Sequence, residues 1–154
     1  MSKNKIIDRA EIHNIIARLK KDGKKVVFTN GCFDLIHVGH VRYLSQARGL
    51  GDILVVGLNA DESISSIKPG RPVTPEAQRA EVLAALSMVD YIVLFNEDTP
   101  YELIKAVGPD VLVKGADWKP EDIVGNDIVK DVRTISFVDG ISTTGIIRKI
   151  QNLK

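Results

Sequence analysis

Two histidines three residues apart, His37 and His40, with Gly39 between them, are the side chains of this sequence best placed to do chemistry. Ahead of them Val26, Val27 and Phe28 form a β-branched and aromatic run that reads as a strand buried on both faces, and Thr29, Asn30 and Gly31 end it with turn residues. From Val38 onward the apolar positions take helical spacing, with Val41, Leu44 and Ala47 on one stripe. The imidazoles therefore share one face of a helix's first turn, where unpaired N–H groups carry partial positive charge. Such a place receives phosphate. Gly31 and Gly39 remove side chains where a ligand has to approach the backbone. Two imidazoles without a nearby third ligand are an incomplete zinc shell, so no protein metal site is expected. The local alternative is a histidine that merely caps or packs; the Asn-Gly before the pair, the inner glycine and the strand-to-helix switch favour ligand binding.

The elements that must hold this pair are read from periodicity. Residues 8–20 carry Ile12, Ile15, Ile16 and Leu19 at helical spacing, with His13 off the stripe and solvated. Strands are expected at about 25–29, 52–58, 91–95, 111–113 and 132–137, and helices between them. Asn59 or Asp61 would cap a short helix. Lys68-Pro-Gly-Arg-Pro72 is a loop, carrying Lys68 and Arg71 where they can fold over a polyphosphate through charge-assisted hydrogen bonds. Thr74 is the expected N-cap of a helix reaching about Leu86, with Pro75 at its first position and Val82, Leu83 and Leu86 buried. Ser142 can cap a last helix whose face is Ile146, Ile147 and Ile150. Strand and helix alternate throughout, which predicts an α/β fold: a single Rossmann-like doubly wound domain over residues 1–154, with a mainly parallel five-stranded sheet and residues 1–23 as an N-terminal helical extension. In such sheets ligands bind beyond the carboxyl ends of the strands, where residues 29–40, 59–71 and 114–118 emerge together.

Composition narrows the function classes. With 21 basic and 20 acidic residues the net charge is +1, so no bulk field recruits nucleic acid or an anionic membrane, and any anion must be bound by local geometry. The hydrophobic fraction of 44% is that of an ordinary globular chain, and no apolar run approaches membrane-spanning length. The single cysteine, Cys32, reads as a small structural residue rather than a nucleophile. It cannot form an intramolecular disulfide, and the N-terminal residues lack the apolar core of a signal peptide, so a cytoplasmic protein is expected.

The stretch Gly31-Cys-Phe-Asp-Leu-Ile-His-Val-Gly-His40 resembles the His-x-Gly-His signature of the nucleotidyltransferase superfamily that includes glycerol-3-phosphate cytidylyltransferase and the sugar-phosphate adenylyltransferases. The nearest likeness is to the D-glycero-D-manno-heptose 1-phosphate adenylyltransferases, and it runs from about Lys24 to Gln151. Gly140-Ile-Ser-Thr-Thr144 matches the family's Gly-Ile-Ser-Thr-Thr motif residue for residue, and Gly115-Ala-Asp-Trp118 its Gly-x-Asp-Trp element. One position departs: the cytidylyltransferases carry an arginine three residues before Gly140, and here Phe137 stands there, which argues against a cytidylyltransferase.

The resemblance implies transfer of AMP from ATP to a sugar 1-phosphate, giving ADP-heptose and pyrophosphate with Mg2+ as cofactor. It assigns His37, His40 and Lys68 to catalysis. Thr29, Asn30, Gly31, Cys32, Phe33, Gly39, Arg79, Gly115, Asp117, Trp118, Ser142, Thr143 and Thr144 are assigned to the nucleotide. Asp34, Asn59 and Arg71 are assigned to the second substrate. It also implies a homodimer, and a separate sugar kinase and phosphatase in the same pathway.

Overall fold

The computed structural model describes residues 2–153; Met1 and Lys154, the two ends of the expected domain, lie outside the described residues. Its strands are β1 (Val26–Gly31), β2 (Ile53–Asn59), β3 (Tyr91–Phe95), β4 (Val111–Gly115) and β5 (Asp131–Ile135). They form one sheet in the order β3-β2-β1-β4-β5, and every neighbouring pair is parallel. The helices are α1 (Arg9–Lys21), α2 (Val38–Arg48), α3 (Asp61–Ile67), α4 (Glu76–Ala84), α5 (Tyr101–Val107) and α6 (Thr143–Gln151).

The strands are apolar on both faces because helices cover both, as the continuous hydrophobic runs require. Val27, Leu54, Val56, Ile92, Val111 and Val113 pack with Leu44 and Ala47 of α2 and Ala80 and Leu83 of α4. On the other face Val26, Phe28, Val55, Val93 and Leu112 pack with Ile12 and Ile16 of α1 and Leu103, Ile104 and Val107 of α5. Alternate strand residues thus serve alternate layers. The N-terminal segment belongs to this core: Ile12 and Ile16 are fully buried, and Ile6 bridges Ile92 beside β3. His13 stays exposed, but its Nδ1 lies 3.0 Å from the Ala106 carbonyl oxygen of α5.

Several local expectations are corrected. Helix α3 begins after Ala60 with no side-chain cap, so neither Asn59 nor Asp61 caps it. Helix α4 begins at Glu76 with Pro75 at the cap, while the Thr74 amide donates to Asp34. Its buried residues are Arg79, Ala80, Leu83 and Ala84, and Val82 is 48% exposed, because the helix turns Arg79 inward. Strand β5 ends at Ile135, leaving Phe137 in the following segment. Among the described residues no helix is long and apolar enough to cross a membrane.

From β1 the chain builds outward to β2 and β3, then returns to the opposite side of β1 as β4. The connections from β1 and β4 leave in opposite directions at their carboxyl ends, which opens a crevice there. Replacing Ile12 with alanine tests whether α1 is integral: a loss of about 2–5 kcal/mol is expected. Urea unfolding followed by far-UV circular dichroism and by Trp118 fluorescence should show both signals shifting together.

Candidate active site

Between β1 and α2 the chain takes a sharp path. Phe33 and Leu35 both adopt left-handed backbone angles, with φ of 48° and 50°. Each costs a non-glycine residue about 1–2 kcal/mol, so distant contacts must hold the turn. Asp34 is one anchor: its carboxylate accepts from the amides of Val73 (2.7 Å) and Thr74 (2.9 Å), and its carbonyl accepts from the Thr143 hydroxyl (2.8 Å). Arg79, only 1% exposed, is the other. Its Nε donates to the Thr74 carbonyl (2.9 Å), one terminal nitrogen to the carbonyls of Cys32 (2.7 Å) and Asn59 (2.8 Å), and the other to Asp61 (2.8 Å). One guanidinium thereby joins the ends of β1 and β2, the start of α3 and the loop before α4.

His37 is the N-cap of α2. Its Nδ1 accepts from the Gly39 amide (3.1 Å), while Nδ1 of His40 accepts from the His37 amide (3.2 Å). This reciprocal pattern is a capping box built from imidazoles in place of a hydroxyl and a carboxamide. The rings stack with centroids 3.9 Å apart. Capping and ligand binding are compatible, because each ring uses only Nδ1 for the cap. A neutral imidazole accepting at Nδ1 carries its proton on Nε2, and no described residue bonds Nε2 of either ring. Burial, with the His37 charge adding to it, pushes His40 down to about 4; burial also lowers His37. At neutral pH the pair presents two uncharged N–H donors.

Those donors border a cavity of about 440 Å³ beyond β1 and β4. Asn30, Gly31, Cys32, Phe33, Gly39, Gly115, Asp117, Trp118, Ser142 and Thr143 line it with the histidines. A second cavity of about 200 Å³ adjoins it, bordered by Lys68 and Arg71 and by Asp34. Cys32, Phe33, His40 and Thr143 border both. The starts of α2 and α6 therefore meet at one rim of the sheet; a methyl group at Gly39 would lie 3.8 Å from Ile141.

Sequence reasoning placed several residues differently. Arg79 lines neither cavity; four of its five N–H donors go to protein oxygens, so here it braces the site from outside the cavities. Thr29 is fully buried beneath the floor, where it accepts from the Tyr43 hydroxyl (2.8 Å) and donates to the Val113 carbonyl (3.0 Å). Asn59 is buried against Ser63 (3.3 Å) and lines neither cavity. Asp34 borders the smaller cavity, but both carboxylate oxygens hold amides, which opposes a direct substrate role. Thr144 lies outside both linings; Ser142 lines the larger cavity, and its oxygen accepts from the Gly145 amide (2.9 Å) as an ordinary cap does, which leaves its O–H proton uncommitted.

The glycines also have a different reason. At Gly39 an added Cβ would lie 2.8 Å from the His37 ring, and at Gly31 3.0 Å from the Phe33 ring. They make room for the protein's own rings. Tyr43, Phe137, Val138 and Ile141 complete the larger cavity and were not foreseen as lining, and Lys114, foreseen only as part of the segment 114–118, was given no role. Two signals were available: Tyr43 continues the three-residue spacing of His37 and His40, and Lys114 is a charge near the end of an apolar strand.

A family model described as cytidylyltransferase-like matches residues 28–149. The chain is 54% identical over 148 residues to the bifunctional protein HldE of a Nitratiruptor species, covering 96% of this chain and 32% of that protein. It is 57% identical over 145 residues to the bifunctional protein HldE of Campylobacter concisus, covering 94% of this chain and 30% of that one. The chain spans about a third of the length of these curated relatives. Among solved structures, the lipopolysaccharide core biosynthesis protein of Thermoplasma volcanium superposes with a TM-score of 0.66 at 30% identity, covering 76% of this chain and all of that one. Pantoate-beta-alanine ligase of Francisella tularensis shares the fold at 16% identity, with a TM-score of 0.62 over 95% of this chain and 76% of that one.

Two measurements check the site's construction. Arg79→Lys keeps the charge but not the fork, and should cost about 2 kcal/mol or more by stranding buried carbonyls, read as a lower urea midpoint. His40 binds its proton less readily when folded, so its contribution to stability is complete above pH 6.5 and is lost as pH falls towards 4. Unfolding midpoints between pH 7.5 and 4.5 should therefore fall less steeply in His40→Asn, and NMR titration of the unliganded protein should place His40 near 4.

Proposed function

Because the chain belongs to the cytidylyltransferase-like family of nucleotidyltransferases, we propose that this site transfers AMP from ATP to a sugar 1-phosphate, a D-glycero-D-manno-heptose 1-phosphate, releasing pyrophosphate. The observation that carries the reading is His40 at the seam of the two cavities, its Nε2 proton uncommitted. The larger cavity, with Trp118 and Phe137 at its wall, suits a nucleoside; the smaller one, with Lys68 and Arg71, suits the remaining phosphates. The heptose acceptor rests on the likeness of Gly31–His40 and Gly140–Thr144 to the heptose adenylyltransferases.

In this mechanism a phosphate oxygen of the acceptor attacks the α-phosphorus in line, and the bond to the β-phosphate oxygen breaks. No protein nucleophile is needed, since the acceptor is already one. Catalysis is alignment and stabilisation of negative charge by donors fixed in advance. His37 and His40 donate Nε2–H to the reacting phosphate. Lys68 and Arg71 hold the departing pyrophosphate. The Thr143 hydroxyl, tied to the Asp34 carbonyl, keeps the start of α6 beside them.

Magnesium, bound together with the nucleotide, would supply charge neutralisation to the reacting phosphates. Among the described residues no three His, Cys, Asp or Glu side chains gather to hold a metal, so the described residues would add no carboxylate, imidazole or thiolate cage of their own.

Pyrophosphate release measured over a grid of nucleoside triphosphates and sugar phosphates tests the proposal. ATP with heptose 1-phosphate should be the fastest pair; a faster CTP and glycerol 3-phosphate pair would overturn both assignments. His40→Asn retains a cap acceptor near Nδ1 but removes the Nε2 donor, and should lower turnover by a factor on the order of 10²–10³.

A further inference from the structure

Lys114 is a charged residue near the carboxyl end of β4, whose first three residues are buried apolar side chains. Its side chain borders the larger cavity. Among the described residues it makes no hydrogen bond and no ion pair. Its ammonium instead lies 5.5 Å from the centre of the Trp118 ring. An aromatic face holds a cation in place without neutralising it or occupying its N–H donors. Burial disfavours the charge and lowers the lysine pKa, against the opposing influence of Cys32 and Asp117. A positive group kept half-buried beside a cavity, with no carboxylate on it, is a site completed by an anionic ligand.

Position identifies which part of the ligand that is. Lys114 borders only the larger cavity, whereas Lys68 and Arg71 border only the smaller. The wall near Lys114 includes Trp118, Phe137 and Ile141, the surface suited to a nucleoside. In a nucleotide laid from that wall towards the second cavity, the first anionic group reached is the phosphate attached to the nucleoside. We propose that Lys114 binds the α-phosphate of the nucleotide, with Trp118 positioning its ammonium; this rests on the nucleotide reading of the cavity.

Calorimetric titration of the protein with AMP and with adenosine separates this role from a packing or base-reading one. Lys114→Met should weaken AMP binding by a factor on the order of 10–100, the worth of one charge-assisted hydrogen bond, and leave adenosine binding within about twofold. Lys114→Gln, which is less apolar, should behave alike, and neither variant should melt below the parent without ligand, since each loses a half-buried charge that has no ion-pair partner. Equal losses for both ligands, or undiminished AMP binding in either variant, would overturn the proposal while leaving the nucleotide reading intact. A parent protein that binds neither ligand would overturn that reading, and the role of Lys114 with it.

Discussion

A single buried guanidinium supports the architecture of the site. Arg79 commits four of its five N–H donors to three backbone carbonyls and one carboxylate drawn from four segments, and one of those carbonyls belongs to Cys32, in the turn that carries two strained residues. Burying an arginine is costly, and it is tolerated here because four of its N–H groups are satisfied by protein oxygens, three of them backbone carbonyls at strand ends and in a loop. The Asp61 carboxylate is still 40% exposed, so the local gain comes mainly from satisfying backbone. Without that hub the turn would lose one of the two anchors, Asp34 being the other, that hold Phe33 and Leu35 in left-handed angles.

The histidine pair shows how a structural duty can prepare a chemical one. By accepting backbone amides at Nδ1, each ring fixes its own tautomer and orientation and presents Nε2–H outward. Burial keeps both rings neutral, so they donate without the repulsion that two imidazolium ions 3.9 Å apart would feel. The helix start is therefore felt by a ligand through the rings that cap it, and not only through bare amides.

Glycine and aromatic residues form a matched set around the same cavity. Gly115 admits the Phe137 ring, which would lie 2.2 Å from a Cβ at that position, and Phe137 in turn stacks towards Tyr43 at 6.4 Å. Tyr43 reaches down to Thr29, whose hydroxyl closes onto β4. Thus α2, β1, β4 and the segment after β5 are registered against one another by side chains below and beside the cavity. Phe137 remains 58% exposed and Trp118 45%, so two large aromatic surfaces remain open to solvent at the wall of a cavity that has apolar room for a ligand.

The amino-acid order alone was enough for the α/β alternation, the five strands and the parallel sheet. These depend on local periodicity and on the handedness of strand connections, which neighbouring residues carry. It was also enough to mark His37 and His40. Only tertiary structure decided that Arg79 is a buried strut, that Asp34 holds amides, that Thr29 lies beneath the floor and that Lys114 faces the cavity unpaired. Their partners come from segments as far as 84 residues away, and a charged or polar side chain looks the same in sequence whether it meets a ligand, a carbonyl or water.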